Sequence, residues 1–142
     1  MQPKFLIAGI LLLLSVISFS QTAYNPWSTV TASDIEVIGD PLFRPAKYRS
    51  VRLDVEGAKH FLWSAPHEGD VKVRESNAVL TLPMPDGTLQ DFHIVSYDMM
   101  EPGLAARYPE IRTFYGVCAT RGYGKVYLDW TAFGLRASFS TA

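Results

Sequence analysis

Apolar and polar residues alternate over five or six short stretches of this chain, while two others carry the longer period of a helix. Val51, Leu53 and Val55 alternate with Ser50, Arg52 and Asp54, the pattern of a half-buried strand. Ala58, Phe61, Leu62 and Ala65 then fall at i, i+3, i+4 and i+7, which predicts a helix over about residues 55–65. Asp54 is its candidate N-cap, and Pro66 stops it by pushing residue 65 out of the helical region. Ala78, Leu80 and Leu82 share one face of a strand, with Val79 and Thr81 on the other. Met84-Pro85-Asp86-Gly87-Thr88 predicts the reversal, because Gly87 takes a positive φ without steric cost. The return strand, Leu89 to Tyr97, changes phase between Phe92/Ile94 and Val95/Tyr97, as a bulge or a strand covered on both faces would.

Glu101-Pro102-Gly103-Leu104 opens a second helix over about 101–108, with Pro102 suited to its first turn. Leu104, Ala105 and Tyr108 form its expected buried stripe, and Pro109 ends it. Ile111 to Val117 is another strand, and a glycine-containing turn follows over Ala119 to Gly124. In the last hairpin Val126, Leu128 and Trp130 alternate with Tyr127 and Asp129, and Thr131-Ala132-Phe133-Gly134 turns the chain. Leu135, Ala137 and Phe139 then alternate with Arg136 and Ser138. Residues 21–47 lack sustained periodicity and read as an extended lead-in with one short strand near Ile35 to Ile38. The fold class expected is α+β, a predominantly antiparallel sheet with two short helices. Its expected core is Leu53, Phe61, Leu62, Leu80, Leu82, Phe92, Ile94 and Leu104, with Leu128, Trp130 and Leu135.

The first twenty residues stand apart from this pattern. Lys4 supplies a positive start, Phe5 to Ile17 are apolar apart from Gly9 and Ser15, and Ser18-Phe19-Ser20 offers small residues at a peptidase site. A signal peptide over 1–20, cut between Ser20 and Gln21, is the expectation, since the apolar run is shorter than the roughly 18–20 residues of a spanning helix. That implies a secreted, periplasmic or outer-surface protein with no stable membrane anchor after cleavage. Loss of Lys4 takes the 13 basic residues to 12 against 14 acidic ones, a formal charge of −2. Without a basic run there is no electrostatic footprint for nucleic acid.

Cys118 is the only cysteine, so no intrachain disulfide forms and stability must come from the hydrophobic core. A free cysteine packs as a small hydrophobe; an intermolecular disulfide and a zinc-blocking thiolate are the alternatives. Gly116-Val117-Cys118-Ala119-Thr120 does not match the motif of such thiolate switches.

His60, His67 and His93 lack the helical His-Glu-x-x-His spacing of a zinc protease, and Pro66 separates the first two. There is no Gly-x-Ser-x-Gly elbow, and neither Ser64 nor Ser76 has a partner that the sequence places beside it. Asp91 and Asp129 are expected to face solvent on alternating strands. The expected catalytic, cofactor-binding and metal residues are therefore none. Trp63, Trp130, Tyr97, Tyr115, Tyr123 and Tyr127 could build an aromatic sugar-binding platform; Tyr115 and Tyr127 are the better surface candidates, whereas Trp130 shares its strand face with Val126 and Leu128 and reads as core.

Several segments, in order, resemble one family: Arg49-Ser50-Val51-Arg52-Leu53-Asp54, Leu62-Trp63-Ser64-Ala65-Pro66 and Leu82-Pro83-Met84-Pro85-Asp86-Gly87. Leu104 through Gly116 and Leu128-Asp129-Trp130-Thr131 with Gly134-Leu135 complete the pattern, which spans roughly Tyr48 to Phe139. It resembles the N-terminal prodomain region of secreted bacterial reprolysin-like zinc metallopeptidases. The resemblance implies a region of residues 48–142 that assists folding of a protease domain and keeps it latent, with that domain downstream or separate as its partner. It carries over no catalytic residue. A last strand running so near Ala142 is expected to be followed by more sequence. A stand-alone secreted β-rich binding or adhesion module is the alternative.

Overall fold

A computed structural model describes residues 22–35, 46, 48–120 and 124–140. The signal segment, the proposed Ser20/Gln21 cleavage point, most of the Ile35–Ile38 strand and part of the 119–124 turn lie outside them. Among the described residues the chain forms two antiparallel sheets and two α-helices, a pattern common to α+β and mostly-β folds.

Strands β1 (Trp27–Thr29) and β2 (Val51–Leu53) pair as a small ribbon. Helix α1 (Val55–Trp63) follows directly. As its sequence predicts, the Asp54 carboxylate accepts from the Gly57 N–H at 3.1 Å, satisfying one of the donors that a helix start leaves free. Five further strands run as a meander, β3 (Val79–Pro83), β4 (Leu89–Tyr97), β5 (Arg112–Cys118), β6 (Lys125–Thr131) and β7 (Gly134–Ser140), each paired with its sequence neighbours. Helix α2 (Pro102–Arg107) interrupts the β4–β5 connection.

The β3–β4 reversal is a three-residue loop. Met84 N–H donates to the Thr88 carbonyl at 2.9 Å, Gly87 N–H donates to the Met84 carbonyl at 3.0 Å, and Gly87 stands at φ 90°. At β5, a Cβ on Gly116 would lie 2.8 Å from the His93 carbonyl and 2.5 Å from Ile94 Cδ1, so only glycine permits this strand approach.

The core lies between α1 and one face of the meander. Ala58 and Leu62 of α1 meet Leu80, Leu82, Phe92, Ile94, Phe114, Val126, Leu128 and Trp130, all buried. The phase change in β4 is not a bulge: its register runs unbroken against β3 and β5. The strand is instead covered on both faces, because Val79, Thr81, Val95 and Val117 on the opposite face are buried as well. Cover comes from residues 66–76, whose 3-10 turn at Val73–Glu75 lies against β4 and β5. Ser76 anchors that segment, its hydroxyl donating to the Ile94 carbonyl while its own carbonyl meets His93 Nδ1 at 2.8 Å.

Three expectations need correction. The helices are shorter than their patterns, ending at Trp63 and Arg107. The lead-in builds a strand earlier than expected, at Trp27–Thr29. The α2 stripe is not buried: Leu104 is 46% and Tyr108 42% exposed. Spacing tells which residues share a helix face, and among the described residues no element covers that face. Leu53, Phe61 and Leu135 are half-buried, packed against the core rather than within it.

Candidate functional site

The sheet presents three places where a partner could bind: its free edge, its outer face and one end. The edge is β7. Strand β6 pairs with it from Lys125↔Ser140 to Thr131↔Gly134, and among the described residues nothing pairs with its other side. Leu135 and Phe139 turn inward, Phe139 reaching the Phe92 ring at 6.0 Å, whereas Arg136, Ala137, Ser138 and Ser140 are exposed.

The outer face carries three tyrosines. Tyr115 and Tyr127 are register partners on β5 and β6, and Tyr97 meets Tyr115 edge-on at 5.7 Å. Burial pushes the Tyr97 hydroxyl above its ordinary range, helped by the Asp129 carboxylate; burial and then the charge of Glu68 do the same for Tyr115. Of the two tyrosines preferred from the sequence as surface residues, Tyr127 is exposed and Tyr115 half-buried, and Tyr97, weighed with them, is half-buried beside Tyr115.

At one end, beneath the β4–β5 connection, lies a cavity of about 360 Å³. Its wall includes Met99, Met100, Ala105, Pro109 and Ile111, with His67, Asp98 and Arg112 supplying the polar part. Arg112 is held by the Trp63 ring, its Cζ 4.8 Å from the centroid. Trp63 is in turn edge-on to Trp130 at 5.7 Å. A second cavity, about 300 Å³, lies at the opposite end between the Met84–Asp86 loop and the β7 terminus.

The residues weighed for chemistry are engaged structurally or scattered. His60 is exposed on α1. His67 Nδ1 accepts from Gly69 N–H at 3.1 Å, and its Nε2 lies 3.3 Å from Asp98 Oδ2 without the angles of a hydrogen bond. His93 is tied to Ser76. Ser64 donates to the Phe61 carbonyl at 2.7 Å. The Thr113 and Ser96 hydroxyls on the cavity wall are likewise directed at backbone, Thr113 at Tyr97 and Ser96 at Pro66. Asp91, expected in solvent, is half-buried and accepts from Thr81 at 2.6 Å. Cys118 is buried in the core, its Sγ 3.6 Å from Thr120 Oγ1.

Compared with known proteins, the chain matches no family model, no curated protein and no solved structure.

Proposed function

We propose that this chain is a non-catalytic, prodomain-like region of a secreted zinc metallopeptidase, assisting the folding and latency of a protease domain that is downstream or separate. Under this reading the fold is α+β rather than mostly β, since α1 supplies the layer that closes the inner face of the meander. The observation that carries the reading is β7, a seven-residue edge strand whose outer side is unpaired among the described residues. Natural sheets guard such an edge with proline, inward charge or a covering element. Here Arg136 is the one charged residue of the strand, and its sequence holds no proline. A partner domain that adds a strand to β7 would satisfy those backbone groups, which is a recurring mode of recognition.

Amide exchange of Leu135 to Phe139 tests this in the chain recovered after expression with its own leader. Fast exchange that slows when a metallopeptidase domain encoded in the same gene is added supports the proposal. Slow exchange in a monomer lacking any partner rejects it and favours the stand-alone binding module, for which the Tyr97, Tyr115 and Tyr127 face is the specific attraction. Reading the gene beyond codon 142 for a His-Glu-x-x-His helix separates the two by an independent route.

A further inference from the structure

The cavity beneath the β4–β5 connection, about 360 Å³, lies at the small end of the roughly 300–1,000 Å³ that ligand pockets span. Its wall has two parts. Met99, Met100, Ala105, Pro109 and Ile111 make one part apolar. On the other, most polar groups are already engaged. The Ser96 and Thr113 hydroxyls donate to backbone carbonyls, and the Tyr97 ring packs edge-on against Tyr115. His67 Nε2 is closed to solvent, 3.3 Å from Asp98 Oδ2, so no ligand reaches it. What remains for a guest is one cation, Arg112, and one anion, Asp98.

Strand register brings these two charges together without pairing them. β4 and β5 align as far as Tyr97↔Thr113, and one further step along that alignment falls on Asp98 and Arg112. Opposite charges at such positions usually interact, yet among the described residues no ion pair joins these two. Each is drawn aside: the Arg112 guanidinium lies on the Trp63 ring at 4.8 Å, and the Asp98 carboxylate stands over His67.

Two opposite charges held apart beside an apolar wall complement a molecule that carries both charges on one carbon, with an apolar chain attached. A carboxylate fits the planar guanidinium fork, an ammonium fits Asp98, and methionines adapt to the shape of an apolar side chain. The wall has no net charge of its own, one cation standing against one anion, so it matches a guest that is neutral overall. Its surroundings add no strong bias. Arg136 is met by its register partner Asp129, and Glu68 lies toward Tyr115 on the outer face. Lys59, which shares the Trp63 ring at 5.4 Å, and Arg107 stand against Glu101 and Glu110.

We propose that this cavity binds a free apolar α-amino acid of the leucine, methionine or phenylalanine type. Its carboxylate meets Arg112, its ammonium meets Asp98, and its side chain lies against Met99, Met100 and Ile111. The site makes no use of the β7 edge, and failure of the strand-addition reading leaves it untouched.

Isothermal titration of the recovered chain with L-leucine, L-methionine and L-phenylalanine tests the proposal. At least one should bind saturably with a Kd of about 1 mM or below. The amide of the tightest of the three lacks the carboxylate, and its N-acetyl derivative lacks the ammonium. Each should bind at least about tenfold more weakly, having lost one charge-assisted contact. Asp98 is 86% exposed, so Asp98→Asn should leave the thermal midpoint unchanged. It should weaken the amino acid by a similar factor and leave the N-acetyl derivative unaffected, a discrimination that a merely loosened fold would not produce. Arg112→Gln should weaken both. No saturable binding of any of the three at about 10 mM overturns the proposal. A Kd unchanged by Asp98→Asn overturns it too. So does an N-acetyl derivative that binds as tightly as its parent, which would point to the C-terminus of a peptide.

Discussion

At the β3 edge of the large sheet the chain closes its own boundary, whereas at the β7 edge no described residue does so. Tyr24 N–H donates to the Val79 carbonyl at 2.8 Å, and Thr81 N–H donates to the Tyr24 carbonyl at 2.9 Å, so the lead-in lies along β3 as a short parallel partner. Trp27 fastens it, its ring N–H reaching the Thr81 carbonyl at 2.8 Å. The Tyr24 ring stacks on Phe61 of α1 at 4.9 Å. Of the five β3 residues only Pro83 is not fully buried, while none of the seven β7 residues is. Both strands end the same meander, yet one has become interior. What separates them is whether a distant piece of chain returns to supply donors and acceptors, and a strand edge left without that supply is a place for another molecule.

The largest effects should come from breaking what closes the β3 side and the core beneath both edges. Leu128→Ala, at a fully buried position on β6, should cost about 2–5 kcal/mol in denaturant unfolding. Trp27→Ala should cost about 3 kcal/mol, the lower end for a tryptophan because the ring is only half-buried. Exchange data distinguish the two. Trp27→Ala should speed exchange at Thr81 selectively, turning β3 into a second open edge, whereas Leu128→Ala should loosen β4 to β7 together. Equal loosening everywhere in both variants would mean the lead-in is not a separable closure.

A smaller effect sharpens the view of β7 itself. Along an edge strand successive N–H groups point alternately toward the neighbour and away. Ala137→Pro and Ser138→Pro therefore remove one donor to β6 and one to the open side. The substitution that strips β6 of its donor should cost about 1–3 kcal/mol, the penalty for a carbonyl left unpaired. Its neighbour should cost much less and yet abolish any pairing through the edge. Near-equal costs would show that both sides of β7 are already bonded.

The edge contrast was half legible in the chain. Alternation in Val126–Trp130 and Leu135–Phe139 and the Pro85-Asp86-Gly87 turn give the strands and hairpins that the structure contains, because each depends on residues close in sequence. The Asp54 cap is local in the same sense. The closing of β3 was not legible: three residues at Trp27–Thr29 are too short for a period, and their partners lie 22 to 54 positions away. The cover over Val95 and Val117 comes from residues 66–76, again without a period of its own. Leu104 and Tyr108 failed in the opposite way, their spacing being helical but the face they form lacking cover among the described residues. Asp98 and Arg112 came together on one cavity wall only through strand register.

The smallest expected effect concerns the outer face, midway between the two edges. Tyr97 and Tyr115 hold their protons more tightly than free tyrosine, first through burial and then through Asp129 and Glu68 respectively. A group whose folded pKa is raised stabilises the fold below its unfolded value, near 10 for tyrosine, and loses that contribution as pH climbs through the folded value. Stability should therefore hold level through neutral pH and decline above about pH 10. Absorbance titration at the phenolate band should show Tyr97 and Tyr115 ionising late, together with Tyr24, whose proton is held by burial and then by Asp54. Tyr97→Phe should flatten part of the alkaline decline, and Asp129→Asn should move the Tyr97 transition down, with less effect on Tyr115, whose named neighbours are Glu68 and Tyr127. Tyrosines that all titrate together near the free value would mean the face is fully wet and no more protected than the open strand beside it.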